Sequence, residues 1–320
     1  MNANTRAGRL GVGVIGMGHV GPVIASALRQ AGHRIVGVSA HSPRSIERAE
    51  DMLPGIGILD VETLARSSDV VVLAVPDDTI EPLTKGLAEL DVWHPGQLVI
   101  HLSGAHGITA LQAASACGAI ALAIHPVMTF TGTSVDVARL VGTPFAVTAP
   151  AFALPIAHAL VVEMGGEPFD IDEADRTLYH CALAHGANFL AAIVNQSLTL
   201  LTAAGVDRAS AVATPLLAAA LDRALRQGIA GISGPIPRGD SGTIATHIAA
   251  LSATTHAAGE EVHIDEADPA TSGQRLEPQQ GGNILDTYTF MTRQTVQMLR
   301  DAGRLSENSA QEILSVLATG

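Results

Sequence analysis

Residues 11–21 read Gly11-Val12-Gly13-Val14-Ile15-Gly16-Met17-Gly18-His19-Val20-Gly21, a short apolar run that ends in a glycine-spaced corner and opens into an Ala-rich helical stretch. In such a corner the first glycine permits the tight turn, the second lets a diphosphate approach the backbone, and the third lets helix and strand pack closely. The helix N-terminus adds partial positive charge. The spacing alone is weak evidence, and the pattern of the next 130 or so residues decides the reading. Val/Ile runs at 11–15, 34–39, 70–75, 98–102, 119–124 and 145–148 alternate with helical stretches near 19–31, 43–52, 78–90 and 107–116. Each run is almost continuously apolar, as strands buried on both faces are. The alternation predicts an α/β fold with a doubly wound parallel sheet.

Beyond Pro150 strand signals fade, apart from 168–171, and helical patterns cover 172–205, 208–227, 241–257 and 284–302 before a short terminal helix. Two domains are predicted: a cofactor-binding α/β domain over 1–150 and a mostly α-helical substrate and dimerisation domain over 151–320. The second carries a Gly/Pro-rich structured loop at 232–240 and a mobile acidic surface loop at about 259–282. With 320 residues, 47% of them apolar and only 15% charged, the chain can bury a sizeable core, and disorder as its main state is excluded. The balance of 31 acidic to 18 basic residues gives a net charge of −13, which repels a phosphate backbone and argues against a nucleic-acid partner. The two cysteines, Cys117 and Cys181, are far apart and in no metal-type spacing, so neither a disulfide framework nor a metal site is expected. A reducing cytoplasm fits, and residues 1–10 lack the charged-then-apolar pattern of an export signal. The longest apolar stretch, 182–204, includes His185, Asn188, Asn195 and Gln196, and so reads as a buried core helix and not a membrane span.

Cofactor choice is normally written at the end of the second strand, where an acid accepts from the ribose 2′-hydroxyl of NAD. Here the stretch is Ser39-Ala40-His41-Ser42-Pro43-Arg44, with no acid before Glu47. A carboxylate would repel a 2′-phosphate, whereas Ser39, His41, Ser42 and the donor fork of Arg44 would welcome one, so NADP(H) is expected over NAD(H). A polar turn with Ser42 capping the next helix is the plainer reading and is compatible with it. Val75 and Pro76, at the end of the third strand, complete the cofactor-facing set. In an open parallel sheet ligands bind beyond the carboxyl ends of strands, where this chain also places Asp77-Asp78, Ser103-Gly104-Ala105-His106 and His125-Pro126-Val127-Met128. Asp78 reads as a helix N-cap and Ser103 as either a substrate contact or simple turn chemistry. His125, titratable near neutrality and followed by proline, suits proton transfer to a developing alkoxide; a core histidine bonded to backbone is the alternative.

In the helical half, His180, Asn188 and Asn195 fall near one helix face, and their partners are either a substrate or a dimer interface. The loop Gly234-Pro235-Ile236-Pro237-Arg238-Gly239-Asp240-Ser241-Gly242-Thr243 offers Arg238 as a carboxylate binder and Asp240 or Ser241 as a cap for the helix behind it. The candidate catalytic set is His125, Ser103, Asn188, Arg238 and Asp240.

Taken together, the glycine corner, Val75-Pro76-Asp77-Asp78, Leu102-Ser103-Gly104-Ala105, His125-Pro126 and Gly234-Pro235 with Arg238-Gly239-Asp240 and Thr243 resemble bacterial Rossmann-like proteins with a C-terminal domain of unknown function. That family is similar to ketopantoate reductase, pyrroline-5-carboxylate reductase, prephenate dehydrogenase and 6-phosphogluconate dehydrogenase. The resemblance covers about residues 10–255. It implies an N-terminal Rossmann domain, an NADP-linked oxidoreductase activity and a homodimer formed through a helical domain of the 6-phosphogluconate dehydrogenase C-terminal type. Ketopantoate reductase and 6-phosphogluconate dehydrogenase use a lysine four residues before an asparagine on the first long helix of the second domain. Ala184 stands four before Asn188, and Lys85 is the only lysine, so a lysine mechanism is excluded. His125-Pro126 is similar to the His-Pro motif of prephenate dehydrogenase, but Val127 and Met128 replace the residues that normally come next. The expected reaction is hydride transfer from NADPH to a small anionic carbonyl or imine, with the 2-oxo acid 2-dehydropantoate as the leading candidate. Oxidation of a cyclohexadienyl or hydroxy acid, and a non-catalytic NADP(H)-binding regulator, are the other two readings.

Overall fold

The structure, a computed structural model, describes residues 9–257 and 283–319. The acidic loop expected at about 259–282 lies outside the described residues. Strands β1 (Gly11–Ile15), β2 (Arg34–Ser39), β3 (Val70–Leu73), β4 (Leu98–His101), β5 (Ile120–Pro126), β6 (Pro144–Thr148) and β7 (Glu167–Asp170) form one sheet in the order β2-β1-β3-β4-β5-β6-β7. From β1 the chain steps out to β2, then crosses back over β1 to lay β3 on its other side. The strand order therefore reverses at β1, and ligands of such sheets bind at that switch point, beyond the strand's carboxyl end.

The two-faced burial read from the apolar runs is visible strand by strand. On β3 and β4, Val70, Val72, Leu98 and Ile100 enter one core while Val71, Leu73 and Val99 enter the other, as a period-2 pleat requires. The first core takes α1 (Gly21–Gln30) through Ile24 and Leu28, and α2 (Pro43–Met52) through Ala49. The second takes α3 (Val61–Arg66) through Leu64, α4 (Asp77–Glu89) through Ile80 and Leu87, and α5 (Gln112–Ala116) through Ala114. The remaining helices are α6 (Ser134–Arg139), α7 (Leu154–Glu163), α8 (Arg176–Ala203), α9 (Ala209–Gln227), α10 (Ser241–Ala257), α11 (Ile284–Asp301) and α12 (Glu307–Thr319).

Three expectations need correction. The sheet is not parallel throughout, because β6 runs antiparallel to β5, with Ala123 opposite Thr148 and Pro126 opposite Phe145. The link between these strands, residues 127–143, carries only the short helix α6 and returns the chain to the same end of the sheet, so β6 runs back alongside β5. Asp78 does not cap α4, since Pro76 holds that position and Asp77 and Asp78 both lie in the first turn, where carboxylates favour the positive end of the helix. The third correction concerns α8. It is long and apolar enough to cross a membrane by length and composition alone, yet among its described residues only Arg176 is buried. It is not a core helix of this chain. Apolar composition records what a helix meets in its final assembly, which need not be its own chain.

The chain divides into two compact units, Met1–Ala184 and His185–Gly320, with the boundary inside α8. The second unit has its own core, in which Ile244 and Ile248 of α10 pack with Val296 and Leu299 of α11 and Ile313 and Leu317 of α12.

Candidate functional site

At the carboxyl end of β1 the three glycines have separate structural grounds. Gly16 has a φ of +101°, and a Cβ there would stand 2.3 Å from the Ala74 carbonyl oxygen. Gly21 opens α1 so close to the corner that a Cβ would lie 1.9 Å from the Gly16 carbonyl oxygen. Gly18 differs: a Cβ would meet nothing within 4 Å, so its lack of a side chain is not explained by the chain's own packing. The Gly16 amide donates to the Ser39 carbonyl at 3.1 Å, locking the corner to the end of β2. Met17 is buried in the first core and Gly18 and His19 are exposed. Val20 precedes α1 without any side-chain cap, leaving the helix N-terminus to an external acceptor.

Behind the corner, Ser39 is buried while His41, Ser42 and Arg44 are exposed. The Ser42 hydroxyl accepts from the Ser45 amide at 3.2 Å in a capping box, so it serves α2 as the plainer of the two readings expects. One helical turn beyond Arg44 stands Arg48, which no sequence motif singles out. Its guanidinium donates to the Met17 and Gly18 carbonyls at 3.2 and 3.1 Å, clamping the glycine corner from the α2 side. Arg44 and Arg48 line a groove of about 540 Å³ together with Thr131, Gly132 and Thr133. That turn is built on the fully buried Asp136, whose Oδ2 accepts from the amides of Thr131 and Gly132 at 2.6 and 2.9 Å. On the far side of the corner, Val75 lies against Gly16 and the exposed Pro76 opens α4.

A second cluster forms at the carboxyl ends of β4 and β5 and the first turn of α8. His125, partly buried on β5, places Nδ1 2.8 Å from the Tyr179 hydroxyl, with the two rings edge to face. His180 stands edge-on to the same imidazole at 6.4 Å between centroids. A Cβ on Gly104 would fall 3.0 Å from His125 Nε2 and 2.9 Å from His180, so the turn after β4 must be glycine for the two histidines to stand there. The Ser103 hydroxyl accepts from the amides of Ala105 and His106, each at 3.2 Å, which is turn chemistry. Beneath them the fully buried His101 accepts from the Ser103 amide through Nδ1 at 3.2 Å and donates through Nε2 to the Gly107 carbonyl at 2.8 Å.

Electrostatics hold both imidazoles neutral. Burial pushes His101 down to about 4, with the Arg176 charge adding to it. His125 is likewise lowered to about 4, first by burial and then by the charges of Arg176 and His180. Arg176 is 1% exposed, and its guanidinium reaches the Thr148 hydroxyl at 2.8 Å and the carbonyls of Ser103, Ala123 and Ala146 at 3.2, 2.8 and 3.1 Å. Burial lowers it to about 10, so it remains a cation at neutral pH. Burial also raises the Tyr179 phenol to about 12. Nearby, Glu173 accepts from the amides of Ile108 and Thr109 at 2.7 and 3.0 Å; burial pushes its carboxyl up, and these hydrogen bonds more than reverse that.

Within the first unit, then, Ser103 and His125 are gathered with Tyr179, His180, Arg176 and His101, while the glycine residues, Ser39 and Val75 meet at the β1 corner. Arg176, Tyr179 and His180 follow i, i+3, i+4 spacing, the one signal that could have flagged the first two. In the second unit Asn188 is exposed on α8 and Arg238 is exposed at the end of a short 3-10 turn. Asp240 caps α10, accepting from the Thr243 amide at 3.0 Å and hydroxyl at 2.7 Å, bonds that hold its carboxyl below the usual carboxylate range. Among the described residues no group of His, Cys, Asp and Glu is arranged to hold a metal ion.

No curated protein matches the chain. In fold it is similar to a Bacteroides fragilis protein named as a candidate NADP oxidoreductase, at a TM-score of 0.68 and 17% identity over 89% of this chain and 97% of the other. It is also similar to an imine reductase from a Pseudomonas species, at a TM-score of 0.58 and 17% identity over 97% of this chain and 100% of the other. A 1-pyrroline-5-carboxylate reductase from Streptococcus pyogenes matches at a TM-score of 0.52 and 16% identity, over 97% of each chain. Two family descriptions match in sequence. The chain thus joins a Rossmann-like domain, matched over residues 1–126, to a domain of unknown function, DUF2520, matched over residues 143–262.

Proposed function

We propose that this protein is an NADP-dependent oxidoreductase that reduces a small carbonyl or imine compound. The observation that carries the reading is the space over Gly18 at an uncapped helix N-terminus, at the point where the strand order reverses. The backbone there offers donors to a diphosphate, and no side chain of the corner competes for the position. Arg44, exposed at the start of α2 with no acid beside it before Glu47, is the residue offered to a 2′-phosphate. When bound, the nicotinamide would supply the hydride. The names of the fold neighbours, an NADP oxidoreductase and two reductases of C=N compounds, support the same class.

His125 is the candidate proton donor to the acceptor atom, and Ser103 shapes the turn beside it. Arg238, exposed and close enough to the capping Asp240 to act on its carboxyl, is the candidate binder of an anionic acceptor, with Asn188 as a further polar contact. A 2-oxo acid such as 2-dehydropantoate is the leading acceptor, and a cyclic imine bearing a carboxylate is the second candidate. Calorimetric titration tests the cofactor: NADPH is expected to bind at least about 10-fold more tightly than NADH, and Arg44→Ala to erase that difference. Equal affinity of the unaltered protein for the two nucleotides overturns the assignment.

We further propose a homodimer. Phe189, Leu216, Leu225 and Phe290 of the second unit are 58%, 71%, 78% and 60% exposed in the single chain, a density of apolar surface that isolated proteins rarely present to water. A second copy of the chain, with the same apolar residues, is the simplest cover. Sedimentation equilibrium is expected to give twice the 32.8 kDa of one chain, and a monomer at micromolar concentration refutes it.

A further inference from the structure

We propose that Tyr179 is a positioning residue that fixes the tautomer of His125, holding the imidazole with its proton on Nε2 and resupplying that proton through Nδ1. The proposal rests on the reductase reading for its chemistry and on the geometry of the pair for its substance. The Tyr179 hydroxyl makes one hydrogen bond among the described residues, the 2.8 Å contact with His125 Nδ1. A phenol is a better donor than acceptor, and an unprotonated imidazole nitrogen is a strong acceptor. Were Nδ1–H instead the donor, the phenolic proton would be left without a partner in a half-buried place. The favoured arrangement is therefore Tyr179 O–H donating to Nδ1, which leaves the ring proton on Nε2.

That nitrogen lies on the edge of the ring facing Gly104, which has no side chain of its own, with His180 beside the same space. The groups around the imidazole all bear on its charge. His101 approaches from β4, Asp77 from α4, and Arg176, Tyr179 and His180 from α8. Asp77 favours a proton on His125, and burial together with Arg176, His180 and His101 opposes it and prevails. An imidazole held neutral is a hydrogen-bond donor at one nitrogen and an acceptor at the other, and so can pass a proton across itself without ever becoming a cation.

A bound reduced nicotinamide would supply hydride to the acceptor carbon, and the electron pair of the C=O or C=N bond would then sit on the heteroatom. That atom takes the proton from Nε2 as the bond from Nε2 to hydrogen breaks. The Tyr179 hydroxyl proton passes to Nδ1, leaving a phenolate and a neutral imidazole protonated on Nδ1; water then protonates Nε2 as the Nδ1 proton returns to the phenolate, which restores the starting tautomer. Without Tyr179 the ring would have to become an imidazolate, a far stronger base than a phenolate. The Arg176 cation, which favours the ionised phenol against the opposing effect of burial, lowers the cost of the intermediate state.

Selective ¹⁵N labelling of histidine in the full-length protein tests this directly, with the His125 signals assigned by their loss in His125→Gln. At pH 7, without any substrate, the unaltered protein is expected to show His125 protonated at Nε2 alone, and to keep that pattern down to about pH 5. In Tyr179→Phe the two tautomers are expected to mix. A His125 that carries its proton on Nδ1 in the unaltered protein overturns the proposal, whether or not the variant folds, and so does an unchanged tautomer in Tyr179→Phe. With an acceptor found by screening 2-oxo acids and cyclic imines, Tyr179→Phe is expected to lose about 10²-fold in kcat, with KM and NADPH affinity unchanged. Failure of NADPH to bind in the calorimeter would defeat the reductase reading and leave the tautomer result standing. Normal NADPH binding with the wrong tautomer defeats this inference alone.

Discussion

Replacing Arg176 with methionine is expected to destabilise the first unit by roughly 3 kcal/mol, read as a fall in the urea midpoint followed by the fluorescence of Trp93. Trp93 is the only tryptophan, is 3% exposed, and donates to the Thr84 carbonyl within the second core of the sheet, so its signal reports this unit and not the other. Two effects oppose each other at Arg176. Burying a cation with no carboxylate in hydrogen-bond contact carries a desolvation cost, which methionine would remove. Against that, the guanidinium is a donor to four acceptors at once, from Ser103 to Thr148, that are drawn from β5, β6 and the turn after β4. Three of those acceptors are main-chain carbonyls, which stay polar whatever replaces the arginine. Each would be left short of a donor at about 1 kcal/mol or more, and the loss outweighs the gain.

Arg176→Lys separates charge from geometry. The ammonium keeps the charge but lacks the planar fork that reaches several acceptors, and it is expected to restore less than half of the lost stability. A methionine variant as stable as the unaltered protein within about 0.5 kcal/mol would show that the guanidinium is tolerated and not needed there.

What could be read from the chain and what could not divide along a physical line. The strand–corner–helix unit at 11–30 was legible because every part of it is local: a two-sided apolar strand, a glycine at positive φ, and a close approach within ten residues. The helices α2 and α10 were legible from their caps and bounding turns, and α11 from its helical pattern alone. The helix α7 was not, since Leu154–Glu163 is apolar around most of its circumference and shows no 3.6-residue stripe. The direction of β6 depends on how the link after Pro126 folds, which no periodicity records. Site residues split in the same way. His125 announced itself by standing at a strand end before proline. Its partner Tyr179 lies 54 residues on, and the Arg176 contacts span 28 to 73 residues, so their roles exist only once the sheet brings them together. Arg48 hides for the same reason, since its acceptors are 30 and 31 residues away. Ser103 and Asp240 sit where the motifs placed them, and the chemistry seen there is that of a turn and a helix cap.

The glycine corner gives the second large effect: two nearby substitutions to alanine are both expected to weaken NADPH binding, but only one of them to lower stability. Gly21→Ala puts a methyl group where 1.9 Å separates it from the Gly16 carbonyl oxygen, a contact that only backbone movement relieves. Alanine is the better helix former by up to about 1 kcal/mol, but the clash is with main chain and the helix must shift away from β1. Lower thermal stability and loss of detectable NADPH binding are both expected. Gly18→Ala meets nothing within 4 Å and Gly18 does not occupy the left-handed region, so thermal stability is expected to stay within experimental scatter of the unaltered protein. NADPH affinity is nevertheless expected to fall by about 10²-fold, because the added methyl takes the place that a diphosphate oxygen needs against the backbone. The pair is informative because the two glycines are three residues apart on one corner, yet one is required by the fold and the other by nothing the chain itself contains. A Gly18→Ala protein that binds NADPH as tightly as the unaltered one would mean that no diphosphate rests on this corner. The space above Gly18 would then need another occupant, and the reductase reading would lose the observation on which it stands.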